Sequence, residues 1–194
     1  MSLTPSTMLE LGTPAPDFAL LEPATGRTVA LSNLDDSRGL LIAFICNHCP
    51  YVKHIQAGLV AFARDHAPQG IGMVAISSND ADNYPDDGPA RMAEEVEAHG
   101  YCFPYLYDED QSVARAYRAA CTPDFFLFDA ERRLYYRGQF DGSRPGNDEP
   151  VTGADLRAAA EALLAGRPAP EKQVPSIGCN IKWKAGNEPD YFNA

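Results

Sequence analysis

Cys46 and Cys49 stand two residues apart in Phe44-Ile45-Cys46-Asn47-His48-Cys49-Pro50-Tyr51. Two thiols at this spacing can close a disulfide, one attacking a partner and the other resolving the mixed disulfide. The apolar run Leu40 to Ile45 reads as a buried strand. After it, Val52, Ile55, Leu59, Phe62 and Ala63 recur at helical steps, ending near Pro68-Gln69-Gly70. The pair therefore lies at a strand-to-helix junction, where unpaired N–H groups at the positive helix end favour thiolate over thiol. Pro50 is tolerated in the first turn, where its missing N–H costs nothing. Position makes Cys46 the expected more exposed and more acidic sulfur. His48 would stabilise the Cys46 thiolate if protonated or donating a hydrogen bond; the competing reading is a solvent-facing ring with no role. A zinc site would need a second ligand pair at similar spacing, and the chain has none. Neither metal nor cofactor is expected.

The other cysteines divide by setting. Cys102, beside Phe103, is expected to be a buried core thiol. Cys121 precedes Thr122-Pro123 and should pack near the redox pair, with a redox role as the alternative. Cys179 sits in a Pro-, Gly- and Asn-rich tail beside Gly178, a residue that permits close backbone approach. Ile177, Ile181, Trp183, Tyr191 and Phe192 gain free energy only by covering something, so the tail should fold back. Two roles for Cys179 stand open: a relay accepting a disulfide from Cys46 or Cys49, or apolar packing. The oxygen-rich run Ser77 to Gly88 lacks the closing Glu of a calcium loop, so it is expected to be a solvated loop capping a helix from Pro89 to His99.

The positioning elements follow from periodicity. Ala15 to Leu20 and Gly26 to Leu31 form a hairpin, and Ile71 to Ile76 a second buried strand. A short segment at Phe103 to Tyr107 and a helix from Gln111 to Ala120 come next. An apolar strand after Thr122-Pro123 follows, with Arg133 to Gln139 as its antiparallel partner, and then a helix from Thr152 to Ala165 capped at Thr152. The 194 residues suit one α/β domain, with a core about 12–166 and a tail 167–194 packed on it. A formal charge of -11 argues against nucleic-acid or anionic-membrane partners. Met1 to Leu11 has no signal-peptide pattern and no run spans a bilayer, so the chain reads as cytoplasmic. A homodimer is left open.

Strand, Cys-x-x-Cys, helix, strand, helix, Thr-Pro, hairpin, helix resembles the thioredoxin fold, here with an N-terminal β-hairpin extension and an extended C-terminal tail. Ala15-Pro16-Asp17-Phe18, Phe44 to Lys53, Thr122-Pro123-Asp124-Phe125-Phe126 and Gly178 to Lys184 are similar to the peroxiredoxin-like branch related to alkyl hydroperoxide reductase and thiol-specific antioxidant proteins. The resemblance implies Cys46 as nucleophile, Cys49 as resolving thiol and Pro123 as the cis-proline packed on them. It also implies that Thr122 offers its backbone to a bound thiol partner. The peroxide-reactive cysteine of peroxiredoxins corresponds to Cys49, with a threonine where Cys46 stands; their arginine is also missing beside the Phe125 strand. The buried acid of thioredoxins is replaced by Ala43. The expected function is thus a thiol–disulfide oxidoreductase acting on a disulfide-containing protein or a small thiol, with an unidentified electron donor. A thiol peroxidase comes second; a metal–thiolate protein and a non-catalytic module are weaker alternatives.

Overall fold

The computed structural model describes residues 3–34 and 37–192, so the extreme ends of the expected domain lie outside the described residues. Its strands and helices are β1 (Leu3–Pro5), β2 (Ala19–Glu22), β3 (Arg27–Ala30), β4 (Gly39–Phe44), α1 (Pro50–His66), β5 (Ile71–Ser77), α2 (Pro89–His99), β6 (Tyr105–Tyr107), α3 (Ser112–Ala116), β7 (Cys121–Thr122), β8 (Asp124–Asp129), β9 (Leu134–Gly138), α4 (Ala154–Leu164) and β10 (Ile177–Asn180). The larger sheet runs β3-β2-β6-β5-β4-β8-β9, with β4 parallel to β5 and antiparallel to β8. This is the thioredoxin fold, and its hairpin β2–β3 is the expected N-terminal extension.

Strand β4 has no polar residue because both of its faces are covered. Leu41, Ala43 and Ile45 enter one core with the apolar stripe of α1 (Val52, Ile55, Leu59, Phe62), while Leu40, Ile42 and Phe44 enter a second with Tyr117 and Phe126. Period two on the strand and 3.6 on the helix thus meet across one layer.

The tail forms part of a smaller sheet, β1-β10-β7, in which Cys179 is paired with Leu3 on one side and Thr122 on the other. Ile181 is buried, and Tyr191 donates to the carbonyls of Ala114 and Ala119. No described helix is long and apolar enough to cross a membrane.

Four local expectations are corrected. Helix α3 stops at Ala116, because the main chain beyond it is claimed by other elements: Ala120 N–H donates to Asp124, and its carbonyl accepts from Ile181. Helix α4 is preceded by Gly153 in the left-handed region rather than capped by Thr152; the amides of Thr152 and Gly153 are taken by the Asp141 carboxylate. Cys102 is exposed, with the neighbouring rings of Tyr101 and Phe103 stacking on each other instead. The run Ser77 to Gly88 is only in part the solvated loop expected: Asp82 to Asp86 are exposed, whereas Ser77, Ser78, Asn79, Asp80 and Asp87 are buried, and α2 has no side-chain cap.

Candidate active site

Strand β4 and helix α1 hold the redox segment between them. Ile45 N–H still bonds to Ile76 of β5, and Cys49 occupies the position just before the first turn of α1, followed by Pro50. Of the three residues between, Asn47 and His48 are pinned from outside. One Asp87 carboxylate oxygen accepts the amides of Asn47 (2.8 Å) and His48 (3.2 Å), and the other accepts His48 Nδ1 at 2.6 Å and Asn79 Nδ2 at 2.8 Å. Asp87 is fully buried, and its carboxyl is held below the usual range; burial opposes this, but the hydrogen bonds from His48 and Asn79 outweigh it. The same Asp87 bond raises the pKa of His48. His48 is therefore no free solvent-facing ring: it is bonded on one edge and stacked on Tyr84 with centroids 5.6 Å apart.

Both sulfurs are buried, Cys46 at 1 % and Cys49 at 0 % exposure, so Cys46 is not the exposed member. It is not the acidic one either. The Cys46 thiol, acting as donor, stabilises the Cys49 thiolate, and Cys179, Thr122 and the Val52 N–H of the first helical turn add to this; burial works against it, and Cys49 falls to about 4. Cys46 moves the other way, raised first by that same bond, then by burial and the Asp87 charge. Whichever proton the pair holds is shared, and it rests on Cys46. When protonated, Cys49 donates to the Thr122 carbonyl at 3.1 Å.

The Thr122–Pro123 peptide is cis, and the Thr122 hydroxyl lies 3.5 Å from the Cys46 sulfur. Thr122 does not offer its backbone to a partner, because β10 already pairs there with Cys179 opposite. Gly178 makes the approach feasible: a Cβ at this position would overlap the Thr122 carbonyl oxygen. Cys179, pushed up to about 12 by burial and then by donation to Cys49, belongs to the same thiol cluster. Cys121 is fully buried and its thiol lies 3.5 Å from the Pro123 carbonyl; burial raises it well above the ordinary thiol range.

Sequence reasoning missed Asp87, although the oxygen-rich segment that carries it was visible. Donor atoms of Cys46, His48 and Asp87 lie within 4.8 Å of one another and could hold a metal ion. Asp87 already accepts four hydrogen bonds, however, so this cluster meets its own needs without a cation. A protonated thiol beside a His–Asp pair is instead equipped to lose a proton.

A dithiol at the start of α1, faced by a cis-proline loop, defines a redox protein of thioredoxin type. The AhpC/TSA family matches residues 11–137, and the chain belongs to that family. Two solved structures are similar over nearly the whole length. An uncharacterized conserved protein from Geobacillus kaustophilus is 55% identical with a TM-score of 0.93, covering 95% of this chain and 97% of its own. A hypothetical protein from Sinorhizobium meliloti is 57% identical with a TM-score of 0.93, covering 94% and 100%. Peroxidoxin BcpB from Mycobacterium tuberculosis, at 19% identity, 82% and 99% coverage and a TM-score of 0.62, shares the fold. No curated protein matches the chain.

Proposed function

We propose that the protein is a cytoplasmic thiol–disulfide oxidoreductase whose two-electron centre is Cys46–Cys49. The observation that carries this reading is the division of labour between the sulfurs: a low-pKa Cys49 at the helix start and a protonated Cys46 beside His48–Asp87. It also reverses the order expected from sequence. Cys49 thiolate attacks a disulfide R–S–S–R, forming Cys49–S–S–R and expelling one thiolate, which takes a proton from water. Cys46 then passes its proton to His48 and attacks the Cys49 sulfur; the second thiolate leaves and takes that proton from His48, which becomes neutral again. The substrate has gained two electrons, and the cysteine pair has lost two. An external thiol returns the pair to its reduced form. Cys179, bonded to Cys49, can exchange into the Cys46–Cys49 disulfide and free Cys46, so it serves as a third redox thiol.

Trapping tests the order. A Cys46→Ser variant should retain substrate as a mixed disulfide on Cys49, detected by mass spectrometry. Adducts only on Cys46 of a Cys49→Ser variant would restore the order expected from sequence. Gentle oxidation tests Cys179 in the same way, since a Cys49–Cys179 linkage supports the relay and a Cys179 that stays fully alkylatable removes it.

A second reading, thiol peroxidase, is favoured by the acidic sulfur falling at Cys49, the position of the peroxide-reactive cysteine in the family. Arg137 does not supply the arginine of such sites, being bonded to Ser6, Thr7 and Asp124. Losing a transition-state donor costs about 10²-fold or more, so hydrogen peroxide should oxidise the pair slowly in stopped flow.

A further inference from the structure

Beside His48 lies a cavity of about 670 Å³, lined by Asn83, Tyr84, Pro85, Asp86, Asn180 and Lys182. We propose that it binds the carboxylate of a small disulfide or thiol, with Lys182 as counter-charge. This deepens the oxidoreductase reading by naming its substrate class.

Lys182 is only 9 % exposed, yet its ammonium meets only neutral oxygens, the Asn180 carbonyl at 2.9 Å and side-chain oxygen at 2.7 Å. Among the described residues, no carboxylate oxygen comes within 4.0 Å of it, whereas Lys184, on the same segment, pairs with Asp82 at 3.9 Å. A buried cation without an anion is costly, and this one lines an open cavity in a chain of net charge -11. An anion entering there would gain a charge-assisted bond that nothing else in the chain provides. The volume is that of a small-molecule site.

The rest of the cavity directs the other end of the ligand. Tyr84 stacks on His48 and also lies 5.9 Å from the Lys182 ammonium, so its ring spans the distance between anchor and redox loop. Asp86 on the wall disfavours a second negative charge there, which fixes the carboxylate at the Lys182 end. A molecule held by Lys182 and laid along Tyr84 then brings its sulfur to His48, the residue that precedes the attacking Cys49 in the redox loop. Polypeptides are disfavoured as substrates, because β10 occupies the Thr122 edge on which an extended chain would pair.

Three disulfides of different charge provide the test, each rate divided by that of the same disulfide with a free small thiol to remove differences in leaving group: 3,3′-dithiodipropionate, neutral 2-hydroxyethyl disulfide and cationic cystamine. The anionic disulfide should be preferred over the neutral one by about tenfold in kcat/KM, and cystamine should be the poorest. Lys182→Met should abolish the preference, and Lys182→Arg should keep it. Both spare the main-chain bonds that Lys182 makes to Asn79, Asp80 and Gln111. An equal ratio in wild type and Lys182→Met overturns the proposal. A direct binding measurement separates this from failure of the oxidoreductase reading. In an NMR titration of the wild-type protein, unreactive 3-(methylthio)propionate should shift His48 and Tyr84 at concentrations about tenfold below 3-(methylthio)propanol. Equal binding of the two, or none, overturns the anion site whatever the turnover results.

Discussion

At the scale of single residues, the chemistry turns on where one proton sits. Cys49 at about 4 predicts a thiolate absorbance near 240 nm that develops as pH rises through about 4, well below the ordinary thiol range. Cys49→Ser should abolish this step, and Cys46→Ala should move it upward by removing the leading donor. A wild-type titration with no step below pH 7 would contradict the assignment. The second proton has a different route. His48 accepts it only when neutral, and the Asp87 bond raises its pKa, so resolution of a trapped mixed disulfide should accelerate as pH rises through that raised value. Asp87→Asn removes the cause of the shift, and the profile should move down towards the ordinary histidine value near 6.5. His48→Gln should slow resolution by about 10²-fold, measured by rapid-quench mass spectrometry.

At the scale of elements, β10 seals the site. Its pairing with β7 buries the sulfurs and depends on a residue without a Cβ. Gly178→Ala should push β10 off the Thr122–Pro123 bond at a cost of about 1–3 kcal/mol, the usual penalty for forcing atoms into a packed site. Cys46 and Cys49 should then become faster to alkylate at fixed pH. Unchanged alkylation together with unchanged stability would show that the strand does not control access. The segment preceding α2 acts from the other side. It reads as polar and was expected to be wet; Asp82 to Asp86 are exposed, but Asp87 turns inwards to hold the redox loop and Asn79 to hold the tail, its oxygen accepting the Lys182 amide at 2.8 Å.

Across the whole molecule, both ends of the chain are tied to the sheet by one buried pair. Arg137 on β9 bonds Asp124 at 3.1 Å with both side chains fully buried, and it also reaches Ser6 and the carbonyls of Tyr117 and Arg118. Ser6 in turn donates to Asp124 and, through its amide, to Ser176 ahead of β10. Removing one partner leaves the other charged and dry, so Arg137→Met should cost about 3–5 kcal/mol in urea denaturation. Arg137→Met combined with Asp124→Leu should recover much of that loss, because no uncompensated charge then remains. An additive loss in the double variant would sink this account.

The sequence by itself determined the sheet centre, the redox pair and the proline facing it. Those signals are local: an apolar run, a helical stripe, two cysteines and a Thr-Pro are legible without knowing what packs on them. The return of the tail was legible too, since Ile181 and Trp183 had to cover some surface. What only the tertiary structure decided was charge and company. Asp87 lies 39 residues beyond His48 and Cys179 lies 130 residues beyond Cys49, and no periodicity relates such positions. Their effects on the sulfurs act through hydrogen bonds and burial, which depend on distances that exist only once the chain has closed on itself. The expected acidity of Cys46 failed for that reason: helix position was readable, but the donors that settle which sulfur keeps the proton were not.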